Sequence, residues 1–415
     1  MKIARAFVLL SCLSAIIAAG CTSTDGGDME LVFAAGNDPS GATESLIAEY
    51  NAAHPGVHVK FQAMPANTDT QHDAYVTYLS ARESNIDLYS LDVIWTAEFA
   101  TAGWIRPLPE GLIDESLFLD GPMTSVKYDG VAYAAPWFTD AGVLYYRKDL
   151  LEQAGLGVPS TWSEFRSACR EATEPGMEGF VWQGARYEGM VCNFLEFLWG
   201  TGGTLEREAV LERPDETARG ITRALELMLS FFEDGFTPQG VLTYKEEDSR
   251  RLFTEGQALF LRNWPYAWSM AEGEESKIKG LAGIAPLPHA EGETGYSTIG
   301  GWNVAVSSFC EHPAEAFEFL KFIAGEKSLK ERAIKGGYLP TLKSTYMDDE
   351  VLEANPHFAS FFEVFQNTRN RPRSPYYPQM SDVIQENVHS VLTGQKDPEA
   401  GAEAIVTGLS GLMAR

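Results

Sequence analysis

The sequence predicts an α/β protein built from more than one compact unit. A buried strand at residues 31–35 is followed by the turn Gly36-Asn37-Asp38-Pro39, a helix at residues 43–53 and an alternating strand at residues 57–61. A strand, a helix and a second strand at this spacing are typical of a parallel pair joined by a right-handed crossover. At 415 residues the chain exceeds one ordinary domain, so we expect two or three units with separate hydrophobic cores.

The rest of the chain continues this alternation of helices and strands. We expect helices at residues 70–83, near Leu150, and at 161–173, 217–232, 250–255 and 314–324, and strands at 88–91, 142–146, 258–261 and 296–306. Thr161 and Glu164 have the spacing of a capping box, and two amphipathic helices follow Ser381. No linker rich in proline, glycine or serine divides the sequence, so we expect the chain to cross between its units several times.

Composition and charge restrict the class of function. Hydrophobic residues make up 45% of the chain and charged residues 22%, which is typical of folded globular proteins. The net charge of -26 opposes binding to phosphate backbones and anionic lipid surfaces. We therefore expect a neutral ligand, a cation or a protein partner, and no nucleic acid.

The first residues predict export. Lys2 and Arg5 precede an apolar run at residues 6–19, so residues 1–20 read as a signal peptide. The run is shorter than the roughly 20 residues that span a membrane. Ala18-Ala19-Gly20-Cys21 resembles a bacterial lipobox, which predicts a lipidated Cys21, a tether at residues 21–28 and a protein anchored on the extracytoplasmic face or in the periplasm. The alternative is ordinary cleavage with an incidental Cys21.

The remaining sequence signals exclude several chemistries. Cys169, Cys192 and Cys310 permit one disulfide or three buried thiols, and no spacing typical of a zinc site is present. The phosphate-binding, dinucleotide-binding, zinc-protease and serine-hydrolase motifs are also missing from the sequence. We therefore expect no cofactor and no metal.

Carboxylates and aromatic residues stand at predicted strand ends and turns. An ionised carboxylate can accept hydrogen bonds from two sugar hydroxyls, and an indole face packs on the C–H face of a pyranose. Taken singly, each aspartate fits a helix cap or turn, and each tryptophan fits a hydrophobic core. The candidate set comprises Asp38, Asp92, Asp140, Trp264, Tyr266, Trp302 and Arg371.

Several strings resemble known receptors. The stretch from Asp140 to Leu151, DAGVLYYRKDLL, resembles the signature of extracellular solute-binding proteins of the carbohydrate-uptake class. The strings GFVWQG, YEG, RNWPYAW, APLP, GGW and PYYPQ, which begin at residues 179, 187, 262, 285, 300 and 375, are similar to trehalose/maltose-binding proteins of ABC importers. The resemblance extends from about Leu31 to the last helix.

The resemblance implies an architecture and a mechanism. It implies two α/β lobes, each a mostly parallel sheet flanked by helices, joined by hinge strands. The boundaries would be residues 29–137 plus 300–341 and residues 138–299 plus 342–415. A disaccharide would bind between the lobes, and an ABC permease would recognise the closed form. The protein would be a receptor without catalysis, and we expect a monomer.

The resemblance also implies roles for single residues. It makes Asp38, Asp92 and Asp140 hydroxyl acceptors, Trp264 and Trp302 stacking platforms, and Arg371 a donor, with Gly300 and Gly301 in close backbone contact. Tyr266 belongs to one of the matching strings and is included in the site. Three positions depart from the pattern: Phe138 replaces a tyrosine, the segment Thr70-Gln71-His72-Asp73 lacks paired arginines, and Asp38 is shorter than the usual glutamate.

Two alternatives remain at this level. A secreted glycoside hydrolase also combines carboxylates with tryptophans, but the sequence does not give the separation of the carboxylates, and no eightfold βα repeat is present. The second alternative keeps the receptor and changes the ligand to another α-glucoside, such as sucrose, a glucosylated solute or a maltodextrin.

Overall fold

The computed structural model describes residues 29–38, 40–65 and 67–414. The predicted signal peptide, Cys21 and nearly all of the predicted tether lie outside these residues. Among the helices described, none is both long and apolar enough to cross a membrane.

The structure is a mixed α/β fold. The strands are β1 (Met29–Gly36), β2 (Val57–Met64), β3 (Leu88–Asp92), β4 (Lys127–Tyr128), β5 (Val131–Ala132), β6 (Ala135–Ala141), β7 (Val143–Arg147), β8 (Glu178–Val181), β9 (Ala258–Asn263), β10 (Ala282–Ala285), β11 (Ser297–Val306), β12 (Leu339–Pro340) and β13 (Thr368–Arg369).

Helices surround these strands. They are α1 (Ala42–Ala53), α2 (Thr68–Ser80), α3 (Thr96–Thr101), α4 (Asp120–Ser125), α5 (Lys148–Gln153), α6 (Trp162–Ala172), α7 (Glu188–Gly200), α8 (Arg207–Glu212), α9 (Pro214–Glu233), α10 (Glu246–Thr254), α11 (Ala267–Ala271), α12 (Pro313–Ile323), α13 (Glu326–Gly336), α14 (Lys343–Tyr346), α15 (Asp349–Ala354), α16 (Phe358–Phe365), α17 (Tyr377–Leu392) and α18 (Pro398–Met413). Two 3₁₀ turns lie at Glu115–Leu117 and Gln239–Thr243.

The first sheet has the order β12-β6-β11-β3-β1-β2, and β13 pairs with β11 beyond this path. The predicted parallel pair is confirmed, because β1 pairs in parallel with β2 along its whole length and also with β3. However, β11 runs antiparallel to β3 and β6, and β12 runs antiparallel to β6. The expectation of a mostly parallel sheet is therefore wrong for this lobe.

The second sheet has the order β10-β7-β9-β8, and it too is mixed. Only β8 and β9 are parallel, whereas β7 is antiparallel to both β9 and β10. The physical reason is connectivity. A parallel neighbour needs a crossover that returns to the same end of the sheet. Strand β7 instead follows β6 after a single residue, so it enters the second sheet directly from the first.

Separate cores identify the two lobes. Phe33, Leu46, Tyr75, Leu88 and Phe319 belong to a core around the first sheet, and each is at most 1% exposed. The second sheet lies between two other cores, because consecutive residues of β7 alternate between them: Leu144 packs in one, and Val143 and Tyr145 pack in the other. The fold is the two-lobed one that the resemblance implied.

Local sequence signals explain most element boundaries. The predicted capping box is present: the backbone N–H of Glu164 donates to Thr161 Oγ1 at 3.2 Å, and the Thr161 N–H donates to the Glu164 carboxylate at 3.2 Å. Helix α2 begins two residues earlier than predicted because the Asn67 side chain accepts from the Thr70 N–H. Helix α7 was not predicted, because all of its residues are buried and no amphipathic period exists.

The three cysteines among the described residues are free thiols. Cys169, Cys192 and Cys310 are all buried and unpaired within the described residues. Of the two alternatives left by the sequence, the structure has three packing thiols, and burial raises the pKa of each.

Candidate functional site

Three of the predicted residues meet at one edge of the first sheet. Asp92 ends β3, Asp140 lies near the end of β6, and Trp302 lies in the middle of β11 between them. In the ladder, Trp302 pairs with both Asp92 and Phe138, and Gly300 pairs with Asp140. The carboxyl ends of neighbouring strands in open α/β sheets border the ligand crevice, so this edge is the candidate site.

Asp38 joins this edge from the β1–α1 turn, but its carboxylate is already engaged. Its Oδ2 accepts hydrogen bonds from the Thr43 N–H at 2.9 Å and the Thr43 hydroxyl at 2.7 Å. Its Oδ1 accepts from the Ser40 N–H and the Tyr338 hydroxyl, each at 3.0 Å. Burial would raise its pKa, but the hydrogen bonds from Ser40 and Thr43 outweigh burial and lower it. Asp38 therefore serves the start of α1 as well as the site.

Asp92 and Arg371 form a buried ion bridge with a third residue, Glu188. Arg371 Nη2 lies 2.8 Å from Asp92 Oδ1, and Arg371 Nη1 lies 2.9 Å from Glu188 Oε1. All three side chains are at most 10% exposed. Because Asp92 belongs to the first sheet and Glu188 begins α7 in the other lobe, Arg371 ties the two lobes together.

Glu188 is a residue that sequence reasoning missed, although it lies in the matching string YEG. The Tyr377 hydroxyl donates to its Oε1 at 2.7 Å, and the Ser381 hydroxyl donates to its Oε2. Burial raises the pKa of Glu188, and Arg371 opposes that rise only in part. The signal that could have found it is an acidic residue just before the apolar run Met190-Val191-Cys192.

Asp140 is the carboxylate with the fewest partners. It is half-buried, and its carboxylate makes no hydrogen bond within the described part of the chain. Burial, and then the negative charge of Asp92, raise the pKa of Asp140 to about 8, while the positive charge of Arg332 opposes the rise. This environment therefore favours the protonated form of Asp140 more than water does, and that form has one O–H donor beside its acceptor sites.

Trp264 and the two glycines pack against one another. A Cβ built on Gly300 would lie 2.9 Å from Trp264 Cζ3, and one on Gly301 would lie 2.4 Å from the Phe138 carbonyl oxygen. Gly301 also has a φ of 117°, which L side chains rarely adopt. The glycines therefore let the Trp264 ring and strand β6 approach β11. The Arg262 guanidinium lies 4.2 Å from the centre of the Trp264 ring.

Trp302 is half-buried and stands against the first core. Its ring meets the ring of Trp95 edge to face, with centroids 5.4 Å apart. Trp95 itself is 2% exposed and directly precedes α3, so it acts as a fixed support for Trp302. Such support holds an aromatic platform in one orientation, which a stacking ligand requires.

Tyr266 is engaged away from these carboxylates. Its hydroxyl donates to Glu247 Oε1, in the first turn of α10, at 2.7 Å. Burial and the Glu247 charge raise its pKa well above the ordinary tyrosine value. The structure thus gives Tyr266 an intramolecular partner.

The segment without paired arginines also has internal partners. Gln71 is 1% exposed and donates to the Tyr75 hydroxyl at 2.8 Å, while His72 Nε2 lies 2.7 Å from Glu98. Burial lowers the pKa of His72, but the hydrogen bond and charge of Glu98 outweigh burial and raise it. The side chains of Gln71 and His72 therefore both have partners within the first lobe.

Arg332 and Tyr338 are further residues that sequence reasoning missed. Arg332 is 2% exposed on α13, and its guanidinium carbon lies 3.7 Å from the Trp137 ring centre, 4.1 Å from that of Tyr338 and 4.7 Å from that of Phe138. Burial lowers the pKa of Arg332 to about 10. The available signal was an arginine on the buried stripe of α13, next to Leu329 and Ala333.

A groove elsewhere between the lobes touches the site only at Arg371. It has a volume of about 1140 Å³, and the aspartates and tryptophans of the predicted site do not line it. The Arg369 guanidinium lies 3.7 Å from the Tyr296 ring centre in its wall. The groove and the candidate site are therefore different surfaces. Among the residues described, no three His, Cys, Asp or Glu side chains are grouped so as to hold a metal ion.

Comparison with known proteins decides the family. Residues 35–330 match the model of the family described as bacterial extracellular solute-binding protein. This chain belongs to that family. A relative from Deinococcus radiodurans, named probable ABC transporter-binding protein, is 33% identical over 370 residues, which cover 84% of each chain. The relatives and the family are solute-binding proteins rather than enzymes.

Solved structures and sequence relatives place this solute-binding protein among sugar receptors. It is similar to the maltose-bound MalE3 of T. maritima, with 39% identity, a TM-score of 0.86 and coverage of 92% of this chain and 100% of that one. The maltotriose-binding protein of Pyrococcus abyssi is 25% identical, and the match covers 88% of this chain and 76% of that one. The GacH receptor of Streptomyces glaucescens, at 23% identity and a TM-score of 0.83, supports the fold. The expected class, a carbohydrate-uptake receptor of ABC importers, is confirmed.

Proposed function

We propose that this receptor binds an α-linked disaccharide, trehalose or maltose, between its lobes and delivers it to an ABC permease. The observation that carries the proposal is the meeting of Asp92, Asp140, Trp264 and Trp302 around Gly300 and Gly301. Carboxyl groups and indole faces at one site match the two surfaces of a pyranose, its hydroxyls and its C–H faces. The maltose bound to T. maritima MalE3, which is 39% identical to this chain, adds support.

The free functional groups define how the sugar would be held. Asp92 Oδ2 accepts no hydrogen bond from the described residues, and the same holds for both oxygens of Asp140. These oxygens remain for sugar hydroxyls, whereas most of the acceptor capacity of Asp38 is used by Ser40, Thr43 and Tyr338. We propose that Asp92 and Asp140 carry the polar recognition and that Trp264 and Trp302 carry the stacking.

Lobe closure would then depend on the Arg371 bridge. A ligand favours the closed form only to the extent that it binds that form better. Arg371 holds Asp92 of one lobe and Glu188 of the other, so the bridge stabilises the arrangement in which the two lobes are in contact. We place the lobe boundaries at residues 29–137 plus 300–341 and residues 138–299 plus 342–415, and propose that the receptor acts as a monomer.

We further propose that Cys21 is lipidated after cleavage of residues 1–20 and that the receptor stays anchored on the extracytoplasmic face. A diacylated cysteine would keep it near its permease. Labelling of growing cells with a radioactive fatty acid should mark the natural chain and not its Cys21→Ser variant. Equal labelling of both chains would contradict lipidation.

The sugar assignment is tested by calorimetric titration of a chain beginning at residue 29 with trehalose, maltose, sucrose and maltotriose. We expect heat with trehalose or maltose, and more than about tenfold weaker binding in Trp302→Ala, because truncating a hot-spot tryptophan costs about 2 kcal/mol or more. No heat with either disaccharide would refute the assignment, and binding of sucrose or maltotriose alone would move it to another α-glucoside. Release of glucose during the titration would instead favour a hydrolase.

The matched control is Trp268→Ala. Trp268 lies in the same matching string as Trp264, but its ring stacks on that of His357, with ring centroids 5.1 Å apart. Its variant should bind like the natural protein. If both tryptophan variants bound with unchanged affinity, the pocket would lie elsewhere.

A further inference from the structure

Arg332 is a buried cation without an ion pair. Its Nε and Nη1 are inaccessible to solvent and have no hydrogen-bond partner among the described residues, and no carboxylate lies within salt-bridge distance there. Buried arginines are normally paired with acidic groups. The two other fully buried arginines of this receptor follow the rule, since Arg262 pairs with Glu196 and Arg371 with Asp92 and Glu188. Arg332 therefore needs a separate explanation.

The aromatic rings around Arg332 fix its position next to the site. The register between β6 and β11 shifts between Trp302 and Asn303, which pair with Phe138 and Pro136, so Trp137 lies in a bulge. As a result, the Trp137 and Phe138 rings lie 5.3 Å apart and both contact the same guanidinium. Stacking on aromatic faces stabilises a guanidinium without neutralising its charge.

The positive charge of Arg332 lies near two carboxyl groups of the site, those of Asp140 and Asp38. Asp140 follows Phe138 by two residues on β6, so the two side chains point to the same face of the strand. Tyr338, which also stacks on Arg332, donates its hydroxyl to Asp38 at 3.0 Å. The positive charge of Arg332 thus lies beside both aspartates, while the charge of Arg371 is already matched by Asp92 and Glu188.

We propose that Arg332 is a positioning residue of the sugar site. Its guanidinium, which stacks on three aromatic rings and has no ion-pair partner among the described residues, favours the ionised form of Asp140, and that form accepts hydrogen bonds from sugar hydroxyls. The inference rests on the proposed function for the nature of the ligand. Its electrostatic part, the effect of Arg332 on Asp140, can be measured without any ligand.

Other groups also act on Asp140, and each belongs to a different element. The negative charge of Asp92 raises the pKa of Asp140, and the positive charge of Arg332 lowers it. Three tyrosines are close enough for their pKa values to respond to Asp140, namely Tyr145 on β7, Tyr338 before β12 and Tyr346 on α14. Tyrosines are neutral at physiological pH. Arg332 is the one positive charge among these groups, so its removal should raise the titration midpoint of Asp140.

The first experiment follows the carboxyl carbon of Asp140 by NMR in ligand-free protein labelled with ¹³C-aspartate, with Asp140→Asn to assign the signal. Arg332→Met should raise the titration midpoint of Asp140 by about one pH unit or more, because loss of a nearby positive charge disfavours the ionised carboxyl. Arg332→Lys, which keeps the charge, should restore most of the natural midpoint. If Arg332→Met did not fold, Arg332→Gln should show the same upward change. An unchanged midpoint in the neutral variants would overturn the proposal.

The second experiment separates positioning from a merely structural role. At pH 7 Arg332→Met should weaken disaccharide binding by more than about tenfold in the natural background but by less than about threefold in Asp140→Asn, because interacting residues are not additive. Equal effects in both backgrounds would contradict the coupling. Lys335→Met, an exposed change on the same helix, should alter neither measurement. Absence of disaccharide binding in the natural protein would refute the proposed function and leave the NMR result to decide the role of Arg332.

Discussion

Replacing Arg371 by methionine should lower the free energy of unfolding by about 3–5 kcal/mol, the usual cost of breaking a buried ion bridge. The change removes the cation between Asp92 and Glu188 and leaves both carboxyl groups buried. Methionine fills a similar volume, so the loss should come from charge rather than from a cavity. The consequence is a measurable link between one arginine and the stability of the contact between the lobes.

The distances give the size of the effect. At 2.8 and 2.9 Å, each pair interacts by about 6 kcal/mol for an effective dielectric constant near 20, and desolvation of the guanidinium offsets much of that sum. The pH dependence follows from the sign of the pKa change. Burial already raises the pKa of Glu188 in the folded protein, and without Arg371 it rises further above the unfolded value, so the penalty is largest at high pH. It should shrink as the pH falls and the carboxyl group takes up a proton.

The assay is urea unfolding of the sugar-free protein at pH 7.5 and pH 5, followed by tryptophan fluorescence. Arg213→Met is the control, because Arg213 forms an exposed pair with Glu216 at 3.5 Å and its loss should change stability by less than about 0.5 kcal/mol. Adding Asp92→Asn and Glu188→Gln to Arg371→Met should recover most of the loss. The reasoning fails if Arg371→Met costs less than about 1 kcal/mol, or if the cost at pH 5 equals that at pH 7.5.

Three other measurements test single contacts. Sugar affinity should rise as the pH increases through about 8, where Asp140 ionises, and Asp140→Asn should remove this dependence in calorimetric titrations. A pH profile that Asp140→Asn leaves unchanged would exclude Asp140 as the source of the dependence. Gly301→Ala should destabilise the protein by about 2 kcal/mol or more, because its Cβ would lie 2.4 Å from the Phe138 carbonyl oxygen, whereas Gly157→Ala, with no atom within 4 Å, should be nearly neutral in the same urea assay. In a chain beginning at residue 29, a thiol reagent should modify none of the three cysteines before unfolding and all of them after it, and rapid reaction of the folded protein would contradict their burial.

The sequence was most informative where one local rule decides the structure. The Thr161–Glu164 capping box and the β1-α1-β2 unit depend on neighbouring residues, and both are present. Strand direction in the sheets was not accessible in this way. It depends on how β6 and β11 connect the lobes, and that is a property of the whole chain path. Helix α7 was missed for the opposite reason, because a wholly buried helix has no polar face to mark its period.

The candidate site shows the same division. Position at predicted strand ends and turns, together with the resemblance, selected Asp92, Asp140 and Trp302, and the structure brings them to the edge of the first sheet where β3 and β6 end. It was not sufficient to find Arg332, whose relation to Asp140 depends on a bulge in β6 and on the packing of α13, more than 190 residues farther along the chain. Contacts between distant segments have no signature in a single sequence.

The hydrogen bonds divide the predicted residues by what remains free for a ligand. A carboxylate has about four lone-pair sites, and Asp38 uses its own for Ser40, Thr43 and Tyr338, while Arg371 is held by Asp92 and Glu188. A sugar that used Asp38, or Nη1 or Nη2 of Arg371, would have to share or replace these bonds, so each new contact would gain little free energy. Only the Nε of Arg371 has no partner among the described residues, and it is buried. Asp140 and the free oxygen of Asp92 have no such competitor among the described residues. Selectivity among disaccharides should therefore arise mainly where these two carboxyl groups and the indoles of Trp264 and Trp302 meet the ligand.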